Sequence, residues 1–428
     1  MTVLLAEMFA IALLSVFYFV IWISPWRSVL LHKPLVGAVI VLALLLPPLL
    51  MNRFFTKKMW LPIILSLPAA LFSLNLVWSG FLTGYDPIAF WGPKAKSLYS
   101  AEFQLLGQPD YPLFHPLLMA LGSSFAGSWN DVIGRTSHVL LFLVGSSYIL
   151  YCLSTGAVLW DALIALFLFT LVKATSFFTF FTNGYADGLV AFLMTMNVVS
   201  LGLLWERDSR CKKVVCLLMG LCFFLPGWTK NEGLFFALIV LGVFFLSVQL
   251  NERVWSRLSF FKTFGIGLLG SLLLFALPMI LLRHKLGISG LSGGTFSQAG
   301  LIENLQWDAL AQRFGVIMPY LRTESWFVAL GICVLIAMPA ARSKLSWLFA
   351  AWLCCLGFIG FTYVVTTAPL QWHLDTSFQR LTLQIAGLKL VFLTVALKEL
   401  VGRGVRVADE EGLTHNNGGR GAQFEATS

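Results

Sequence analysis

The sequence predicts an all-α polytopic membrane protein, and three observations carry that reading. Hydrophobic residues make up 58% of the 428 positions. Charged residues make up only 11%, against about 25% in ordinary soluble domains. Apolar stretches of the length a bilayer demands, about 20 residues at 1.5 Å rise each, recur along nearly the whole chain. A backbone exposed to lipid must satisfy its own hydrogen bonds, so these stretches are expected to be helices.

In chain order, the first expected span runs from Glu7 to Ile23; it lacks a basic leader and a clear small-residue cleavage site and reads as a retained helix rather than a signal peptide. Leu35–Met51 and Trp60–Leu82 follow as uninterrupted apolar runs. Beyond the long segment Thr83–Asp131 come Val132–Leu153, Ala157–Phe181, Tyr185–Trp205, Val214–Trp228, Gly233–Leu250 and Thr263–Leu282. After a second long segment come Trp326–Ala341, Leu345–Thr366 and Leu381–Leu400. The expectation is about twelve transmembrane helices.

Basic residues collect in alternate short connections: Arg53, Lys57 and Lys58; Arg207, Arg210, Lys212 and Lys213; Arg253, Arg257 and Lys262; Arg342 and Lys344. The positive-inside rule turns these connections and both termini to the cytoplasm, with Arg403 and Arg406 in agreement and Arg27 and Lys33 dissenting. The net charge of +9 is therefore topology, spread over membrane-flanking loops, and no nucleic-acid partner is expected. All seven cysteines fall in expected helices or on the cytoplasmic side, which provides no disulfide framework outside. The expected organisation is N-terminal helices over 1–82, an outer loop over 83–131, a bundle over 132–400 with a second outer loop at 283–325, and a disordered cytoplasmic tail over 401–428.

Both outer loops exceed what a connection needs. In the first, Pro87–Tyr99 mixes Ile88, Phe90, Trp91 and Leu98 with Lys94 and Lys96, which suits an interfacial helix with snorkelling lysines. The apolar segment from Tyr111 is short and begins among Pro109, Pro112 and Pro116, so it too is placed at the interface.

Charge is scarce, so each charge near the outer face carries weight. Asp86, Asp110, Asp187, Lys230, Glu232, His373, Asp375 and Arg380 all fall at outer helix ends or in outer loops. Asp187, in NGYADGLVAF, opens a helix, where a carboxylate serves equally as a cap or as a site residue. Lys230, in GWTKNEGLFF, reads either as an interfacial anchor or, with Thr229, Asn231 and Glu232, as part of a polar site. Arg380 near His373 suits an anion such as phosphate, the alternative being an arginine that snorkels. His115, between Phe114 and Pro116, reads first as structural, as do His138 and His284.

YDPIAFWGPKAKSLY, YPLFHPLL, GSWNDVIGR, NGYADGLVAF, TKNEGLFF and HLDTSFQRL, taken in order over about Thr83–Leu400, resemble the GT-C superfamily of multi-pass glycosyltransferases. The nearest likeness is to the bacterial relatives of protein mannosyltransferases and aminoarabinose transferases. The resemblance implies a GT-C-like fold and a sugar transferred from a polyprenyl-phosphate donor. Asp86 matches the catalytic acid of the first outer loop, and Asp187 resembles a second acid lining the same cavity. Lys230 and Arg380 fall where basic residues meet the donor phosphate, and Glu232, His373, Lys94, Tyr85, Trp91 and His115 complete the candidate substrate-binding set. The chain departs from the pattern in having two extra helices before the catalytic loop and one acid, Asp86, beside Tyr85 where many relatives have an acidic pair.

The chemistry these residues suit is a single inverting displacement: Asp86 takes the acceptor proton while cations stabilise the departing lipid phosphate. No cofactor and no metal ligand set are expected, with a divalent metal left open. The acceptor is a glycan, a lipid or a protein. The absence of any Asn-x-Ser/Thr acceptor site favours a bacterial inner membrane, with the active site facing the periplasm or exterior. Two other classes stay open. A transporter or lipid flippase shares the helix number, although carriers hold ionisable residues near the midplane, where this sequence reads as almost purely apolar. A binding or assembly subunit is compatible with the missing acidic pair.

Overall fold

The structure, a computed structural model, describes residues 2–24, 28, 30, 36, 60–80, 82, 84–102, 111–154, 157–174, 177–206, 213–250, 258–286 and 304–400. The expected span Leu35–Met51 (apart from Val36), Asp110, Cys211, most of the basic connection residues, the centre of the second outer loop and the tail 401–428 lie outside these. Every regular element among the described residues is helical. Among the described residues, six helices are long and apolar enough to cross a bilayer, or up to eight when each of two bent pairs counts as one span.

Helix α1 (Thr2–Ile23) packs its Phe19 and Trp22 fully into the bundle. Helix α2 (Trp60–Trp78) leads to a π-helical turn at Pro87–Trp91 and a short helix α3 (Gly92–Tyr99). Next come α4 (Phe114–Phe125), α5 (Asp131–Leu153), α6 (Val158–Ala174) and α7 (Phe177–Thr182). Helix α5 starts where Asn130 accepts hydrogen bonds from the free N–H groups of Val132 and Ile133. Helix α8 (Ala186–Glu206) is the centre of the molecule, covered by neighbours along nearly its full length. Three helices that pack on it follow, α9 (Lys213–Cys222), α10 (Leu225–Thr229) and α11 (Asn231–Gln249), and then α12 (Leu258–Ser271), which packs on α9, and α13 (Leu277–Leu286), which packs on α1. The chain closes with α14 (Trp307–Arg322), α15 (Ser325–Ala337), α16 (Arg342–Val365), α17 (Leu370–Gln384) and α18 (Ala386–Leu400).

Three expected spans are interrupted. Ala157–Phe181 divides into α6 and α7, and Val214–Trp228 breaks at Phe223 and Phe224 ahead of Pro226, which cannot continue an i→i−4 ladder. Thr263–Leu282 carries a π-helical turn at Leu272–Ala276. The final span starts earlier than expected, because α17 precedes α18 and meets it at a 40° bend; α14 and α15 meet at 61°.

The structure corrects one expectation for the first outer loop. Lys94 does not snorkel but is completely buried, because α3 packs on α4 and turns that face inward. Helix α4 packs Phe114, Leu117, Leu118, Met119 and Ala120 against α1, α3 and α5. Trp91 is also buried, whereas Trp307, Trp326 and Trp372 are exposed.

Candidate functional site

The site is assembled from loop ends that the sequence separates widely. Helix α5 provides the anchor. Its Arg135, itself buried, donates to Thr182 O (2.5 Å), to Val77 O (3.4 Å) and to Gly80 O. One guanidinium thus satisfies carbonyls left free at the C-terminal ends of both α2 and α7. One turn earlier, Asp131 accepts from Leu82 N at 3.0 Å and lies 3.9 Å from Arg135. The strand of chain leading to Asp86 and the one leading to Asp187 are fastened to the same helix.

A histidine pair supports the second of these strands. His115 Nε2 meets Gly184 O at 2.8 Å, and a carbonyl can only accept, so this nitrogen carries the proton. His115 Nδ1 then accepts from His138 Nε2 at 2.9 Å. Burial pushes His115 down to about 4 and keeps it neutral. The two strands approach closely because each turns at a glycine, Gly84 at φ 89° and Gly184 at φ 88°. A methyl at Gly84 would come within 2.2 Å of the Tyr185 hydroxyl, and one at Gly184 within 2.4 Å of Leu82.

Asp187, in the first turn of α8, is completely buried. Its Oδ1 accepts from Lys230 Nζ (2.8 Å) and Gln384 Nε2 (2.6 Å), its Oδ2 from Arg380 Nε (3.1 Å), and Arg380 Nη2 lies 3.0 Å from Oδ2. Arg380 Nη2 also donates to Asp86 Oδ2, and Lys230 Nζ stands 3.8 Å from Glu232 Oε1. Five charges form one chain in the order Asp86, Arg380, Asp187, Lys230, Glu232. Buried charges persist only when paired and hydrogen-bonded, which Asp187 achieves with three donor side chains. Asp86 and Arg380 keep 18% of their side-chain surface open. Asp187 therefore organises the cluster, while Asp86 is both held and reachable.

Aromatic rings line the cations. Arg380 lies over the Tyr185 ring at 5.0 Å; Lys94 and Lys230 each lie 5.9 Å from the centre of the Tyr111 ring, and Lys94 is 5.2 Å from Trp91. His373 sits on the Arg380 face of α17, two turns away, with Nδ1 3.1 Å from Thr366 Oγ1, and is not part of the ion-pair chain. Asp375 is outside it as well, bonded to Tyr320 and Gln371. Tyr85 points outward, 73% exposed, against Phe90. His115 acts as a buttress for Gly184, in keeping with its first reading.

Two contributors to the site, Gln384 and Arg135, and one cation outside it, Lys389, do not stand out in the sequence. Gln384 follows Arg380 by four residues, the spacing that puts both on one helix face, and that signal was available. Arg135 stands four residues after Asp131 in GSWNDVIGR, a legible pair whose role as a double helix-end anchor depends on its neighbours. Lys389, within the expected final span, pairs with Glu324 at 2.6 Å, an ionised pair in a segment that reads as almost purely apolar.

Beyond the cluster an apolar cavity of about 410 Å³ opens between α2, α5, α6, α8 and α18. Its wall begins with Ala191 and Phe192, one turn beyond Asp187, and with Ala386 and Gly387, just past Gln384. The ionic cluster and the cavity wall are thus about one turn apart on α8 and lie on either side of the α17–α18 junction. No three His, Cys, Asp or Glu side chains among the described residues lie close enough to hold a metal ion. The chain matches no family model, no curated protein and no solved structure, so the geometry carries the functional argument alone.

Proposed function

We propose that this protein is a membrane glycosyltransferase of GT-C type, moving a sugar from a polyprenyl-phosphate donor to an acceptor hydroxyl on the outer side of a bacterial inner membrane. The observation that carries the reading is the joining of Asp86, Asp187, Lys230 and Arg380 into one buried ionic chain. The apolar cavity starting one turn deeper has the character an isoprenoid chain needs. The three shorter apolar helices, the two bent pairs and the expected span Leu35–Met51 are consistent with about twelve crossings.

In this reading the phosphate competes with Asp86 for Arg380. Engagement of the lipid phosphate by Arg380 and Lys230 frees the Asp86 carboxylate, which then accepts the proton of the incoming hydroxyl. The new C–O bond forms at the anomeric carbon as the bond to phosphate breaks, inverting configuration, and polyprenyl phosphate leaves with its charge met by the two cations. The acceptor class, glycan, lipid or protein, is set by the outer surface.

The test is a proteoliposome assay of the full chain with synthetic polyprenyl-phosphate monosaccharides and an acceptor mixture, scored by release of polyprenyl phosphate. Asp86→Asn removes the base and is expected to lower release by about 10³-fold with the protein still folded. Release unchanged by that substitution overturns the assignment, and donor translocation without release makes the protein a flippase.

A further inference from the structure

We infer that Glu232 and Asn231, opening α11, hold neighbouring hydroxyls of the transferred sugar and decide which sugar the site accepts. This rests on the transferase reading. The inference comes from which polar atoms of the cluster have partners. Both oxygens of Asp187 are committed to donors, and Asp86 is committed to Arg380. Glu232 differs. Its Oε1 is 3.8 Å from Lys230, too far for a hydrogen bond, and its Oε2 is buried with no partner among the described residues. Asn231 Nδ2, on the adjacent residue, is likewise buried and unpartnered. Gln384, fully buried, gives its amide nitrogen to Asp187 and leaves Oε1 unpartnered.

Buried polar groups are almost always hydrogen-bonded, so a cluster of exceptions beside an ionic network marks a ligand contact. Its chemistry is restrictive. An anionic group is repelled by the Glu232 carboxylate, and a cationic one by Lys230 close by. What remains is a neutral ligand presenting both donors and acceptors, which is what adjacent sugar hydroxyls are: one donates to Glu232 Oε2, and the next accepts from Asn231 Nδ2. Division of labour follows, with Arg380 on the phosphate side and Glu232 on the sugar side of the reacting carbon.

The experiment uses the full chain in proteoliposomes with polyprenyl-phosphate glucose, galactose, mannose and arabinose. The donor with fastest release is then compared with its monodeoxy analogues. Wild type is expected to reject one deoxy analogue by about 100-fold or more in kcat/KM, as sites that hydrogen-bond a hydroxyl do. Glu232→Gln is expected to lose most of that preference, chiefly by slowing the parent donor, while release from the deoxy analogue changes little. Should Glu232→Gln not be recovered folded, Glu232→Asp, which withdraws the carboxylate by one methylene, carries the same comparison. Preference retained in a folded variant overturns this inference and leaves the transferase reading intact. Absence of release from every donor with wild type overturns both.

Discussion

The carboxylates of Asp187 and Glu324 both lie at helix junctions, and both meet a cation from the last two helices, Arg380 for one and Lys389 for the other. Their surroundings differ. Asp187 belongs to a five-member chain drawn from four segments of sequence, with Asp86 partly open to solvent and polar atoms of Glu232, Asn231 and Gln384 without a partner among the described residues. The Lys389–Glu324 pair is a single contact at 2.6 Å, flanked by the rings of Trp326, Phe327 and Trp352 at 5.6 to 5.9 Å from Nζ. A single pair among aromatic rings ties α18 to the junction of α14 and α15. A chain with reachable ends and spare hydrogen-bonding capacity is equipped to take a ligand.

The sharpest way to break this contrast is Arg380→Lys. A guanidinium spans Asp86 and Asp187 at once, and an ammonium is a point charge that cannot keep both contacts. Polyprenyl-phosphate release is expected to fall about 100-fold or more, and a rate near wild type would make Arg380 a structural counter-ion like Lys389. Next in size is the Lys389–Glu324 pair. Lys389→Met strands the Glu324 carboxylate and is expected to cost about 3 kcal/mol of stability, much of it recovered in the double variant with Glu324→Gln. Thermal melting in detergent reads this, and the specific activity of folded protein stays at the wild-type level. A loss of activity without a loss of stability would bring Lys389 into the site.

The smallest expected effect comes from the buttress behind Asp187. His115 is held neutral by burial, with its folded value of about 4 below the ordinary 6.5. A group depressed on folding binds more protons when unfolded, so stability is intact above about pH 6.5 and declines as pH falls towards 4. The slope is at most about 1.4 kcal/mol per pH unit. His115→Gln is expected to flatten this part of the pH–melting curve, and an unchanged curve would remove His115 from the account.

Much of this arrangement was legible beforehand. In so apolar a chain Asp86, Asp187, Lys230 and Arg380 stood out by rarity, and the structure brings those four together. Their partners were less visible for definite reasons. Lys94 looked like a snorkelling lysine because Pro87–Tyr99 was read without α4 beneath it. Lys389 sits in a run whose average hydropathy hides one cation, and Glu324 falls just before the apolar run that neutralises its cost. Gln384 is uncharged and was passed over, although its spacing from Arg380 was informative.

Hydropathy is a property of consecutive residues, so the helical membrane architecture and the position of the rare charges near helix ends follow from the sequence alone. Which charge neutralises which is settled by contacts across 43, 193 and 294 residues of chain. Only the folded bundle decides these, because burying Asp187 is tolerable solely when Lys230, Arg380 and Gln384 arrive at it together.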